Sequence, residues 1–187
     1  MMRAAWTALI LLFTVVSATA GHIKPPGSTS LTVCSESMKP EYAGVHAATS
    51  SIFAPTGVRL EWRDTRHCPA GAVKISIVTS EPGEPHSEVL AYATPFEGIH
   101  IVVYLDRVEA AIETRRAPVL LAHILAHEIA HILQGSDYHS DSGLMKAHWD
   151  ANDHREMAWQ PLQFTPYDID RIHEGMIRRD GLIANLR

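Results

Sequence analysis

The chain has 187 residues, 46% of them apolar and 20% charged, which is enough for one domain with a substantial core and short for two. Eleven Gly and eleven Pro fall far below a collagen-like or low-complexity composition, and the apolar share excludes global disorder. Sixteen Lys and Arg against 21 Asp and Glu leave a net charge of -5, which argues against nucleic acid as a partner.

Residues 1–20 read as a signal peptide. Arg3 supplies the positive start, 8–16 an apolar stretch too short to span a bilayer comfortably, and 17–20 a small-residue cleavage site after Ala20. No stable membrane insertion is expected after cleavage, and the protein is expected to be secreted, whether periplasmic or extracellular. Residues 21–33 begin as a Pro/Gly/Ser stretch and are taken as a linker, with one domain over 34–187. Within it, 40–54 has helical spacing and is stopped by Pro55 and Gly57. Residues 58–63 alternate apolar with charged and predict a half-buried strand; 73–78 predicts a second. Residues 81–85 read as a turn, and the β-branched stretch 99–105 as a third strand.

Pro118 opens the longest helical pattern, running to Gln134, with Gly135 placed to cap its end. Apolar residues cover most of its circumference, as in a buried central helix, and the stripe left over is nearly all histidine. Residues 135–161 look loop-like. A final helix starts after Thr165 as N-cap, with Pro166 in its first turn and Asp168 favoured by the helix dipole.

Cys34 and Cys68 are the only cysteines. In an exported chain an even pair predicts a disulfide, which would stabilise by roughly 3–4 kcal/mol on the chain-entropy view.

Histidine is over-represented, with twelve copies, and the central helix carries His127-Glu128-Ile129-Ala130-His131. Four residues of helix return a side chain to nearly the same face, so two imidazoles can share one zinc at about 2.1 Å each. Glu128 is rotated off that axis, where a carboxylate can act as general base on a metal-activated water. A catalytic zinc needs a third protein ligand and an open position. His139, Asp137 and the more remote Glu156 are the candidates. His123 shares the stripe and is either a core histidine or a partner of a ligand. His148 and Trp149 are candidates for lining a substrate pocket. The remaining histidines show no ligand spacing.

His139-Ser140 followed by Gly143-Leu144-Met145 resembles the third ligand and Met-turn of the metzincin metalloproteases, most of all their matrix-metalloproteinase-like branch. Residues 52–62 are similar to that family's first helix and strand, and 164–176 to its closing helix. The family places Gly three residues after the second His and the third ligand six after it. Here Gly135 is one residue late and His139 two, so the loop is lengthened, while Asp137 stands at the family's own spacing.

The resemblance implies an α+β, zincin- or metzincin-like fold: a twisted mixed sheet packed on two helices, an active-site helix, and a small C-terminal subdomain with a final helix. The upper subdomain would run to about 138 and the lower over 139–187, with 99–105 as the edge strand facing the cleft. It implies one catalytic zinc on His127, His131 and His139, Glu128 as base, Met145 under the site, and a peptide or protein substrate. A metalloendopeptidase is favoured over an exopeptidase, with a monomer as default. The competing class is a catalytically silent or narrow-specificity zinc-binding interaction module of the same fold.

Overall fold

The computed structural model describes residues 29–80, 89–94 and 99–184. The expected signal peptide and the expected turn at 81–85 lie outside the described residues. Five strands form one mixed sheet: β1 (Thr29–Ser35), β2 (Val58–Asp64), β3 (Val73–Val78), β4 (Ala91–Ala93) and β5 (His100–Tyr104). Their order is β2-β1-β3-β5-β4. All neighbours are parallel except β4, which runs antiparallel to β5. The helices are α1 (Val45–Phe53), α2 (Leu105–Ala111), α3 (Ala117–Gln134), α4 (Ala151–Glu156) and α5 (Pro166–Ala184). This mixed α/β architecture agrees with the expected fold class.

Four expectations need correction. The linker ends sooner than expected: from Thr29 the chain is strand, pairing in register with β2 on one side and β3 on the other. Helix 40–54 is shorter, with a 3-10 turn on either side of α1 and Gly57, at φ 74, closing it. The stretch taken as loop after Gly135 contains α4, capped by Asp150 and Asp153 in a reciprocal box. The strand at 99–105 is not the edge: β4 lies outside it.

α3 packs against α1 and α5 and fills the core through Leu120, Leu121, Leu125, Ile129 and Leu133, all buried. Thr114–Gln134 is long and apolar enough to cross a membrane, but the rest of the protein encloses it, as a core helix requires. α5 crosses its end so closely that a Cβ on Gly175 would lie 1.6 Å from the Leu133 carbonyl oxygen. The disulfide Cys34–Cys68 forms as expected, tying β1 to the chain after β2.

Candidate metal centre

α3 delivers His127, Glu128 and His131 side by side, each at most 8% exposed. Gly135 then caps the helix at φ 65, and the chain turns back through 135–139. This return brings His139 to the pair. One ligand-capable atom from each of His127, His131 and His139 lies within 4.8 Å of the others. Two nitrogens on one tetrahedral zinc, each at about 2.1 Å, stand roughly 3.4 Å apart, a separation of the same order. Asp137 and Glu156 are not in this cluster.

The hydrogen bonds of the two helical imidazoles set their tautomers. His127 Nδ1 is 2.9 Å from the Leu144 carbonyl oxygen, and His131 Nδ1 is 2.9 Å from that of Ser136. A carbonyl only accepts, so in both rings Nδ1 carries the proton and Nε2 keeps its lone pair. The two Nε2 atoms face each other at 2.9 Å. Burial pushes His127 down to about 3 and His131 down to about 4, each also lowered by a neighbouring histidine, so both are neutral near pH 7. Two converging lone pairs with no proton between them are repulsive, and a shared cation relieves that repulsion. This is also the arrangement in which ligand imidazoles are oriented through their other nitrogen. The donor set therefore fits zinc.

The Leu144 carbonyl sits in a tightly held turn. Gly143 has φ 74, and a Cβ there would lie 2.4 Å from the Gln163 carbonyl oxygen. Leu144 N–H donates to that same oxygen, and Ser140 N–H donates to the Met145 carbonyl. Met145 is fully buried. Trp149 Nε1–H donates to the Leu144 oxygen at 3.2 Å, and its ring meets His127 edge-on at 5.6 Å. Trp149 thus braces a candidate ligand. His148 is exposed near His139, whose pKa is lowered by partial burial first and by His148 to a lesser degree.

Asp168 joins this turn to α5. Its carboxylate is wholly buried, accepts the Ser140 hydroxyl at 2.6 Å, and caps α5 through Thr165 N–H and Oγ1. Asp168 N–H in turn donates to Thr165 Oγ1. The cap was readable from the Thr165–Asp168 spacing; the link to Ser140, beside His139, was not.

Glu128 lies under the sheet edge. Tyr104 N–H donates to the Leu90 carbonyl and Thr94 N–H to that of His100. With the β4–β5 register, alternation along the strand turns Ala91 and Ala93 outward. Burial pushes the Glu128 carboxyl up to about 7, against a smaller lowering by the Ala93 backbone.

His123 resolves as a core histidine: Nδ1–H donates to the Val119 carbonyl, and Nε2 accepts Leu162 N–H. His46 stacks on Trp62 at 4.0 Å, and His173 bonds the Thr56 carbonyl. The recesses between β1 or β2 and α5 include none of the three clustered histidines.

Fold and site together give a mixed α/β protein with a candidate three-histidine metal centre. Its fold matches the crystal structure of archaemetzincin from Methanopyrus kandleri, with a TM-score of 0.54 over 82% of this chain and 98% of that one, at 11% identity. No family model and no curated protein match the sequence.

Proposed function

We infer that the chain is an exported, zinc-dependent peptidase, with metal ligands His127, His131 and His139 and with Glu128 as general base. The observation that carries this reading is the pair of unprotonated Nε2 atoms aimed at one point, with His139 beside them. When bound, zinc supplies a Lewis acid that acidifies water and polarises a carbonyl.

The chain's own groups do the rest. The outward edge of β4, unpaired among the described residues, offers backbone groups at Ala91 to an extended peptide. Glu128, on the helix that packs against β4, is next to that edge. Its carboxylate takes the proton of the attacking water and passes it to the leaving amine nitrogen. The turn carrying Met145 would act as the Met-turn of a matrix-metalloproteinase-like member, and the chain from His139 onward as the lower wall of the cleft. The disulfide fits an oxidising, extracellular-type compartment. An internal peptide bond, as for an endopeptidase, suits an open strand edge better than a blocked terminus-binding pocket.

A mixed peptide library tests this. Wild type should cleave it, a chelator should stop cleavage and zinc should restore it. Glu128→Ala should keep stoichiometric zinc and lose about 10²–10⁴-fold or more in rate. Loss of zinc from that variant would contradict the assignment of Glu128. Wild type that holds zinc and cleaves nothing would support the silent binding module instead.

A further inference from the structure

The loop 135–139 carries two groups that the metal centre needs. One is the Ser136 carbonyl, which accepts His131 Nδ1–H; the other is His139 itself. Yet the loop is largely exposed: Gly135, Asp137, Tyr138 and His139 all face solvent, and Ser136 is half-buried. A loop this exposed has few apolar contacts to hold it still.

One side chain from α5 reaches into it. Arg171 Nη2–H donates to Ser136 Oγ at 2.7 Å. Its guanidinium also lies over the rings of Tyr138, 5.2 Å away, and Tyr167, 5.7 Å away. The two rings meet edge-on at 5.6 Å. Arg171 Nε is buried without a hydrogen-bond partner, as is the side-chain amide of Gln134 at the head of the loop. Among the described residues, these are the buried side-chain nitrogen and oxygen atoms left unpaired. Native proteins keep few such groups, and they collect where geometry is constrained for another purpose.

We propose that Arg171 is a positioning residue for the metal centre: it clamps loop 135–139 against α5, so that Ser136 holds His131 and His139 stays turned toward the pair. This rests on reading the site as a zinc centre. The hydrogen-bond and ring partners of Arg171 are Ser136, Tyr138 and Tyr167 rather than the three imidazoles. It acts through the residue whose carbonyl orients one ligand and through the ring that precedes another. A planar guanidinium can do both at once, whereas an ammonium can replace the hydrogen bond but not the stacking.

The test uses the full exported chain and the variants Arg171→Gln, Arg171→Lys and Ser136→Ala. Zinc affinity is read by competition with a chromogenic chelator, and melting of the metal-free protein is followed in parallel. Arg171→Gln should weaken zinc about 10–100-fold, the range for losing a group that orients a ligand, with little change in metal-free melting. Arg171→Lys should recover part of that loss. Ser136→Ala should weaken zinc less, and adding it to Arg171→Gln should cost little more, because both remove one contact.

A second readout needs no metal. In side-chain ¹⁵N NMR of the metal-free protein, the His131 Nδ1 proton should exchange faster in Arg171→Gln, while that of His127, held by Leu144, stays as in wild type. Unchanged zinc affinity and unchanged His131 exchange would overturn the proposal. So would a zinc loss matched by collapse of metal-free melting with His127 and His131 equally affected, since that is a purely structural role. Wild type that takes up no zinc would instead sink the metal-centre reading. If Arg171→Gln does not fold, Ser136→Ala carries the same two readouts.

Discussion

His127 and His131 make the same bond, an Nδ1–H to a main-chain carbonyl at 2.9 Å, from supports of opposite kind. His127 leans on turn 143–145, where Leu144 and Met145 are buried and backbone bonds tie the turn to Gln163 and Ser140. His131 leans on loop 135–139, which is mostly exposed and is tied to α5 by Arg171. One wall of the site is thus made rigid by packing, and the other is held by a few polar contacts. Rigid support suits the side that only orients a ligand. The side that would also bring in a candidate third ligand from a separate stretch of chain has more freedom to lose.

The two glycines of these supports offer the sharpest contrast, and Gly143→Ala should have the largest effect. A Cβ there meets the Gln163 carbonyl at 2.4 Å and forces a positive φ on alanine. Strained backbone alone costs about 1–3 kcal/mol, and the clash adds to it. A large fall in melting temperature and loss of zinc uptake are expected. Melting like wild type would show that the turn is not the rigid wall.

Next come the competing third ligands, both on the loose wall. His139→Ala should cut zinc affinity severely, because two imidazoles alone hold the ion poorly. Asp137→Ala should be mild, or at most the roughly 10–100-fold of a residue that orients a ligand. A zinc titration at fixed pH ranks them, and the reverse order would move the third ligand to Asp137.

Gly135→Ala should cost only the left-handed strain, about 1–2 kcal/mol. The nearest atom to its added Cβ is Arg178 Nη2 at 3.9 Å, so nothing clashes. Denaturant melts of the two alanine variants side by side read the difference between the walls.

Acid should act on both walls through the buried imidazoles. In metal-free protein, His127 and His131 are held down to about 3 and about 4, while the unfolded chain protonates them near 6.5. The unfolded state therefore binds more protons as pH falls below about 6.5, and stability drops. Glu128, raised to about 7, works the other way between about 4.5 and 7, because the folded state keeps its proton there. One carboxyl offsets one of two imidazoles, so a net loss remains. Glu128→Gln removes the offset and should steepen the fall in melting temperature from pH 7 to 5. An unchanged slope would contradict the burial of this carboxyl.

The smallest effect is expected at Gln134→Leu. Both polar atoms of the Gln134 side chain are buried without partners. An apolar group of similar size should leave stability within about 0.5 kcal/mol or raise it.

What the sequence made legible follows the same division. α3 and its three chemical side chains could be read directly, because a buried helix repeats every 3.6 residues and the motif is local. The disulfide followed from two cysteines and an expected signal peptide, and the cap of α5 from Thr165 and Asp168. β4 could not be read: Ala91–Ala93 is three residues long, too short for an alternation to show. β1 was hidden because the Pro/Gly/Ser composition just before Thr29 masks where strand begins. The supports of the site were least visible. The carbonyls of Ser136 and Leu144 belong to no residue type, and Arg171 reaches Ser136 from 35 residues away.

The central claim is that three imidazoles of this chain hold one zinc. X-ray absorption on zinc-loaded protein, with the bound metal counted per chain, tests it most directly. One zinc per chain with three imidazole nitrogens at about 2.1 Å is expected. No zinc retained after dialysis, or two imidazoles joined by a carboxylate as the third protein ligand, would contradict it.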